Sequence, residues 1–214
     1  MGALIKLGLV ALVGFIGFTV WQYGFSGENE GSVALGGPIA LTEQDRVKGD
    51  AGAPVTLVEY TDFQCPACAA YHPIIDQLSK ELEGKMKFVV RHYPLIQIHK
   101  NALPSSRAAE AAGRQGKFWE MYDMLFTNQK EWSSADDPTK SIFPAYATRV
   151  GIDVEKFKQD MNDSSLDEKI NQDRATGNEL KISGTPSFFL NGKKLENPSS
   201  VDAFKKAIEN AATE

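Results

Sequence analysis

The chain has 214 residues, enough for one domain carrying an insertion. Its 42% hydrophobic content supports a sizeable core. A net charge of −5, with Lys and Arg scattered, argues against a nucleic-acid binder.

Residues 7–27 carry no charged side chain and are mostly apolar. As a helix this run spans roughly 30 Å, the thickness of a bilayer's hydrocarbon core. Lys6 precedes it, Glu28 and Glu30 follow it, and Trp21, Tyr23 and Phe25 stand where interfacial aromatics gather. We expect a transmembrane anchor over 1–27, the N-terminus in the cytoplasm and the rest of the chain outside. The competing reading is a cleaved signal peptide, but residues 21–25 match a small-residue cleavage site poorly. Residues 28–50 are rich in Gly and polar residues and read as a tether. The folded domain is expected over 51–214, starting near Ala53.

Within that domain, 55–60 reads as a strand and 65–82 as a helix with Tyr71, Ile74, Ile75 and Leu78 on one face. Gly84 stops the helix, and 87–93 reads as a second strand ended by Pro94. Helical periods follow. The strongest covers 117–128, where Phe118, Met121, Tyr122, Leu125 and Phe126 repeat at i, i+3, i+4, i+7 and i+8. Weaker ones cover 102–114, 142–150, 154–161 and 166–180. Residues 187–190 and 193–195 flank Asn191-Gly192, a type I′ hairpin signal. A helix over 201–211 closes the chain, Phe204 and Ile208 inward. This α/β order resembles the thioredoxin-like fold with a helical insertion at about 100–165, because a plain crossover there needs only one helix.

The chain has two cysteines, and they form Cys65-Pro66-Ala67-Cys68. Chance gives two cysteines this spacing roughly once in a hundred chains of this length. A two-residue gap at a helix start brings both sulfurs within disulfide range. Pro66 suits the first helical position, where its missing N–H costs nothing. Cys65 then caps the helix, facing free N–H groups and the positive end of the dipole, and both favour thiolate. Cys68, one turn in, is expected to be shielded and less acidic.

Other readings of the pair are a structural staple, though so short a loop restrains little of the unfolded chain, and a zinc or copper site, though two thiolates fall short of a structural set. His72, one turn after Cys68, reads as a helix-surface or packing residue rather than a ligand. His92 and His99 show no partner spacing and are given no role. No metal and no cofactor are expected.

Two further features bear on redox chemistry. Thr185-Pro186 opens the strand at Ser187, a position a strand tolerates for proline. Glu59 shares a strand face with Val55 and Leu57, so the alternation points it inward. Buried there, it would have a raised pKa and could exchange a proton with Cys68. The alternative for Glu59 is a solvated acid at the strand end.

Phe63-Gln64-Cys65-Pro66-Ala67-Cys68 and Gly184-Thr185-Pro186-Ser187-Phe188-Phe189 resemble the two signature segments of the DsbA-like thioredoxin family, and especially its membrane-anchored, Gram-positive-type branch. The resemblance runs from about Val47 to the C-terminus. It implies a redox-active Cys65–Cys68 disulfide, a cis Pro186 against the sulfurs, and a substrate chain held by the backbone at Thr185. With Pro66 and Ala67, these two form the expected substrate-contacting surface. It further implies an enzyme that introduces disulfides into exported reduced proteins and is reoxidised by a membrane quinone-linked thiol oxidase. A monomer is expected, with no nucleic-acid partner. The best-known members carry His where this chain has Ala67, so no positive charge stands beside Cys65 at that position. A reductase or isomerase of the same fold, and a non-enzymatic tethered chaperone or metal carrier, are the other readings.

Overall fold

The computed structural model describes residues 36–213. The apolar run at 7–27 lies outside them, and among the described residues no helix is long and apolar enough to cross a membrane.

Five strands form one sheet: β1 (Arg46–Lys48), β2 (Val55–Thr61), β3 (Met86–His92), β4 (Ser187–Leu190) and β5 (Lys193–Leu195). Their order is β1-β3-β2-β4-β5. The central β2 pairs parallel with β3 and antiparallel with β4. All seven residues of β2 are buried, as a strand covered on both faces requires. Its alternation divides the core. Val55 and Leu57 join Phe88, Val90 and Phe188 on one face. Val58 and Tyr60 join Val89, Phe189 and Ile182 on the other.

Eight helices are described: α1 (Pro66–Glu81), α2 (Ala102–Gly113), α3 (Phe118–Thr127), α4 (Gln129–Trp132), α5 (Ile142–Arg149), α6 (Val154–Met161), α7 (Ser165–Glu179) and α8 (Val201–Ala211). α1 begins at the end of β2 and lays Cys68, Ile75 and Leu78 into the larger core. α3 brings in Phe118, Met121, Tyr122, Leu125 and Phe126, the inward face its period predicts. α2 to α6 form the insertion. The hairpin turn has φ of 45° at Asn191 and 82° at Gly192, the two positive values a type I′ turn needs.

Two elements differ from expectation. The tether over 28–50 does not extend to residue 50. Gly37–Ile39 forms a 3-10 turn, Ile39 is buried, and β1 pairs antiparallel with β3. Asp45 also pairs with the buried Arg91 at 2.9 Å. The fold therefore starts ahead of residue 51. No sequence pattern marks β1, because a three-residue edge strand of Arg, Val and Lys has no apolar alternation, and charge is what edge strands usually carry. α4 is a single turn, too short to show a period.

Candidate active site

The site forms where β2 ends, α1 starts and the loop entering β4 returns. Cys65 is the N-cap residue of α1, with extended backbone (φ −70°, ψ 123°) and Pro66 at the first helical position. Both cysteines are thiols in this structure. Pro66 and Ala67 are exposed beside them. Thr185-Pro186 is a cis peptide, and the Cys65 thiol donates to the Thr185 carbonyl at 3.3 Å. The loop is tied down by Asn197, whose amide donates to the Pro186 carbonyl at 2.9 Å, and by Ser187, whose hydroxyl donates to Gly184 at 2.8 Å. Cys65, Cys68, Pro66, Ala67, Thr185 and Pro186 thus come together.

The two sulfurs are opposite in acidity. A hydrogen bond from the Cys68 thiol is the main influence holding Cys65 down to about 5, and the Thr185 hydroxyl and the Cys68 and Ala67 N–H groups add to it against burial. Neither N–H makes a full capping hydrogen bond, so their effect is that of nearby oriented dipoles. Burial pushes Cys68 well above the ordinary thiol range, and the same hydrogen bond and the Glu59 charge add to that. Cys65 is less open than the sequence suggests. It is 7% exposed against 1% for Cys68, because the Thr185 loop closes over it.

Glu59 is inward, at 1% exposure. Burial raises its carboxyl to about 7 despite help from Thr61 and Tyr122, and the Cys65 charge works in the same direction as burial. A carboxyl poised near neutrality beside Cys68 can hold or release a proton under physiological conditions.

Several residues around the site carry no motif. Asp62 is fully buried and accepts from the Gln64 N–H (2.8 Å) and the Leu95 N–H (2.9 Å), with His99 Nδ1 at 2.7 Å. Gln129 donates from one amide to the carbonyls of Phe63 (2.7 Å) and Cys65 (2.9 Å). Tyr122 faces Glu59 from α3, and its phenol is raised well above its ordinary range by burial and by that acid. His72 packs on Tyr122 and Phe126 and sits 2.9 Å from Asp123, a packing residue as expected. His92 and His99, given no role from spacing, each have a carboxylate partner. Only Tyr122 left a trace in the sequence, as one more residue on an apolar face.

A family model described as Thioredoxin matches residues 41–210. Among curated proteins, the Na(+)/H(+) antiporter NhaA 3 of Salinispora tropica is 36% identical over 185 residues, covering 86% of this chain. The chain spans 27% of that relative's length. Among solved structures, alpha-DsbA1 of Wolbachia pipientis superposes with a TM-score of 0.73 at 21% identity, over 82% of this chain and 94% of that one. BdbD of Bacillus subtilis, in its oxidised form, gives 0.71 at 24% identity, over 80% and 94%. At these identities the likeness is one of fold, and the fold is that of DsbA-like proteins with the helical insertion.

Proposed function

The chain belongs to the thioredoxin family, and from that premise we propose that it is a thiol–disulfide oxidoreductase introducing disulfide bonds into exported proteins. The observation that carries the reading is the split between an acidic Cys65 and a buried, weakly acidic Cys68 one helical turn apart. In the oxidised enzyme the two sulfurs are bonded. A substrate thiolate attacks Cys65, the S–S bond breaks, and Cys68 leaves with the electron pair and takes up a proton. A second substrate thiolate attacks the substrate sulfur of the mixed disulfide and expels Cys65 as thiolate. Substrate leaves with a disulfide, and the enzyme keeps two electrons. Stability of the Cys65 thiolate favours that reduced enzyme and so drives the substrate's oxidation.

Pro66, Ala67, Thr185 and Pro186 surround Cys65 and would touch substrate. The apolar run at 7–27 supports a membrane-tethered domain working outside the cytoplasm, reoxidised by a quinone-linked membrane partner. The antiport named for the curated relative is not carried over, because the chain spans about a quarter of that protein. A reductase of the same fold is the second reading, and the neutral Ala67 beside Cys65 favours it. The reduction potential decides between them. An oxidase should equilibrate on the oxidising side of roughly −200 mV, whereas a value near roughly −270 mV would make it a reductase.

A further inference from the structure

Past the ends of β2 and β3 no strand ladder fixes the chain. The last backbone bond between them is the Tyr93 N–H on the Thr61 carbonyl, at 2.8 Å. Beyond it, residues 62–65 make a turn that delivers Cys65 to the start of α1. The Cys65 N–H closes that turn on the Asp62 carbonyl at 3.0 Å. The connection from β3 to α2 runs alongside, and side chains take over the work of the ladder.

Asp62 is the centre of that set. Its carboxyl is fully buried, and such a group is stable inside a protein only with hydrogen-bond partners. Oδ1 accepts the Gln64 N–H at 2.8 Å, an Asx turn that stiffens 62–65 from within. Oδ2 accepts the Leu95 N–H at 2.9 Å and meets His99 Nδ1 at 2.7 Å, both from the connection. Among the described residues His99 is the side chain hydrogen-bonded to Asp62, and it is 17% exposed. The connection grips the turn a second time at Gln64, whose Oε1 accepts the Asn101 N–H at 2.6 Å.

Both sulfurs take their bearings from this turn. It sets the Cys65 thiol under the Thr185 carbonyl at 3.3 Å. It also turns the Asp62 N–H towards Cys68. Burial dominates the acidity of Cys68, and this N–H works the other way, favouring the thiolate that leaves when substrate attacks. Exchange needs the attacking, central and leaving sulfurs close to one line, so a small rotation of the turn is felt as a loss of rate.

We propose that Asp62 and His99 are a positioning pair: they lock the 62–65 turn to the β3–α2 connection and so hold the Cys65 sulfur in line with Cys68. They touch neither sulfur with their side chains. His99 is the replaceable member, because the other partners of the carboxyl are backbone groups.

The inference rests on the oxidoreductase reading, and the test separates the two. The Cys65 mixed disulfide with glutathione is prepared in the full-length protein. Cys68 thiolate then attacks Cys65, and glutathione leaves as thiolate and takes up a proton; its release is followed in a single turnover. His99→Ala removes the ring. His99→Asn sets an amide where Nδ1 was, able to donate or accept, so it restores the pairing whichever group carries the proton. His99→Ala should release glutathione about 10-fold more slowly, and His99→Asn within about 2-fold of the wild type. The pH profile of Cys65 alkylation by iodoacetamide should move upward in His99→Ala and return in His99→Asn. Asp62→Asn, which leaves one oxygen for three partners, should also slow release, and it serves as the reading if His99→Ala does not fold. Wild-type release and alkylation in His99→Ala, with or without a lower urea midpoint, would confine the pair to the fold and overturn the proposal. So would a defect that His99→Asn fails to repair, since the ring would then act by bulk. If the wild-type protein releases no glutathione, the oxidoreductase reading itself fails.

Discussion

The Cys65 thiol donates to the Thr185 carbonyl oxygen at 3.3 Å, across 120 residues of chain. Antiparallel pairing of β2 with β4, which sets Tyr60 opposite Ser187, closes that distance. Thr185 serves both states of the sulfur. Its carbonyl accepts from the thiol, and its buried hydroxyl, which has no other partner, favours the thiolate. The attacked sulfur is therefore shaped by the sheet as much as by its helix.

The two sulfurs should behave differently when removed singly. Cys68→Ala should accumulate mixed disulfides with substrate proteins, because nothing internal remains to reclaim Cys65. Cys65→Ser should be inactive and trap nothing, since Cys68 is 1% exposed. Non-reducing electrophoresis of both variants reads the outcome directly. Adducts on Cys68 in Cys65→Ser would reverse the assignment.

Acidity of Cys65 sets a pH window for stability of the reduced protein. Its folded value, about 5, lies below the ordinary thiol value of 9.0, so its contribution is fully present above 9 and is lost as pH falls through 5. At neutral pH it should be on the order of 2 kcal/mol. Denaturant midpoints of the reduced protein and of reduced Cys65→Ser should therefore converge near pH 5 and separate as pH rises. Thiolate absorbance should titrate near 5 in the wild type.

Much of this was legible in residues close together in the chain. The Cys-Pro-Ala-Cys spacing located the helix start, the period over 117–128 located α3, and alternation pointed Glu59 inward, with burial in the fold deciding against a solvated acid. What was hidden depends on tertiary pairing. β1 is three residues long with charged ends. Asp62 and Gln129 act through backbone groups that no side-chain pattern announces. His92 and Glu110 are 18 residues apart on different elements and become partners only when α2 packs across the end of β3.

Gln129 should prove to be a positioning residue. It spans the insertion and the active-site turn with two hydrogen bonds, to Phe63 and Cys65 carbonyls. Gln129→Ala leaves both carbonyls without that donor and should cost about 1–3 kcal/mol. Loosening of the turn should raise the Cys65 pKa and slow its alkylation at pH 6. A variant that loses stability yet keeps the Cys65 titration would show that the bonds serve the fold alone.

The proposed tether is tested by fractionation. Full-length protein should stay with membranes through a carbonate wash, and protease added to spheroplasts should digest the catalytic domain. A soluble mature form beginning near residue 26 would replace the anchor with a cleaved leader.

Glu59 sets stability against function, and its replacement should show both sides. Burial raises its folded value from 4.5 to about 7. For an acid with a raised folded value, full stability holds below 4.5, declines as pH rises towards 7, and stays reduced above it. Glu59→Gln keeps the shape and removes the ionisation. The variant should match the wild type at pH 4 and exceed it by up to about 3 kcal/mol at pH 8. Urea midpoints at the two pH values measure this. Over the same range Cys68 loses its proton exchanger, so release of glutathione from the Cys65 mixed disulfide should slow by about 10-fold or more. A variant no more stable than wild type at pH 8 would mean that Glu59 is solvated or compensated in solution. One that is more stable yet resolves the mixed disulfide at full speed would remove Glu59 from proton exchange with Cys68.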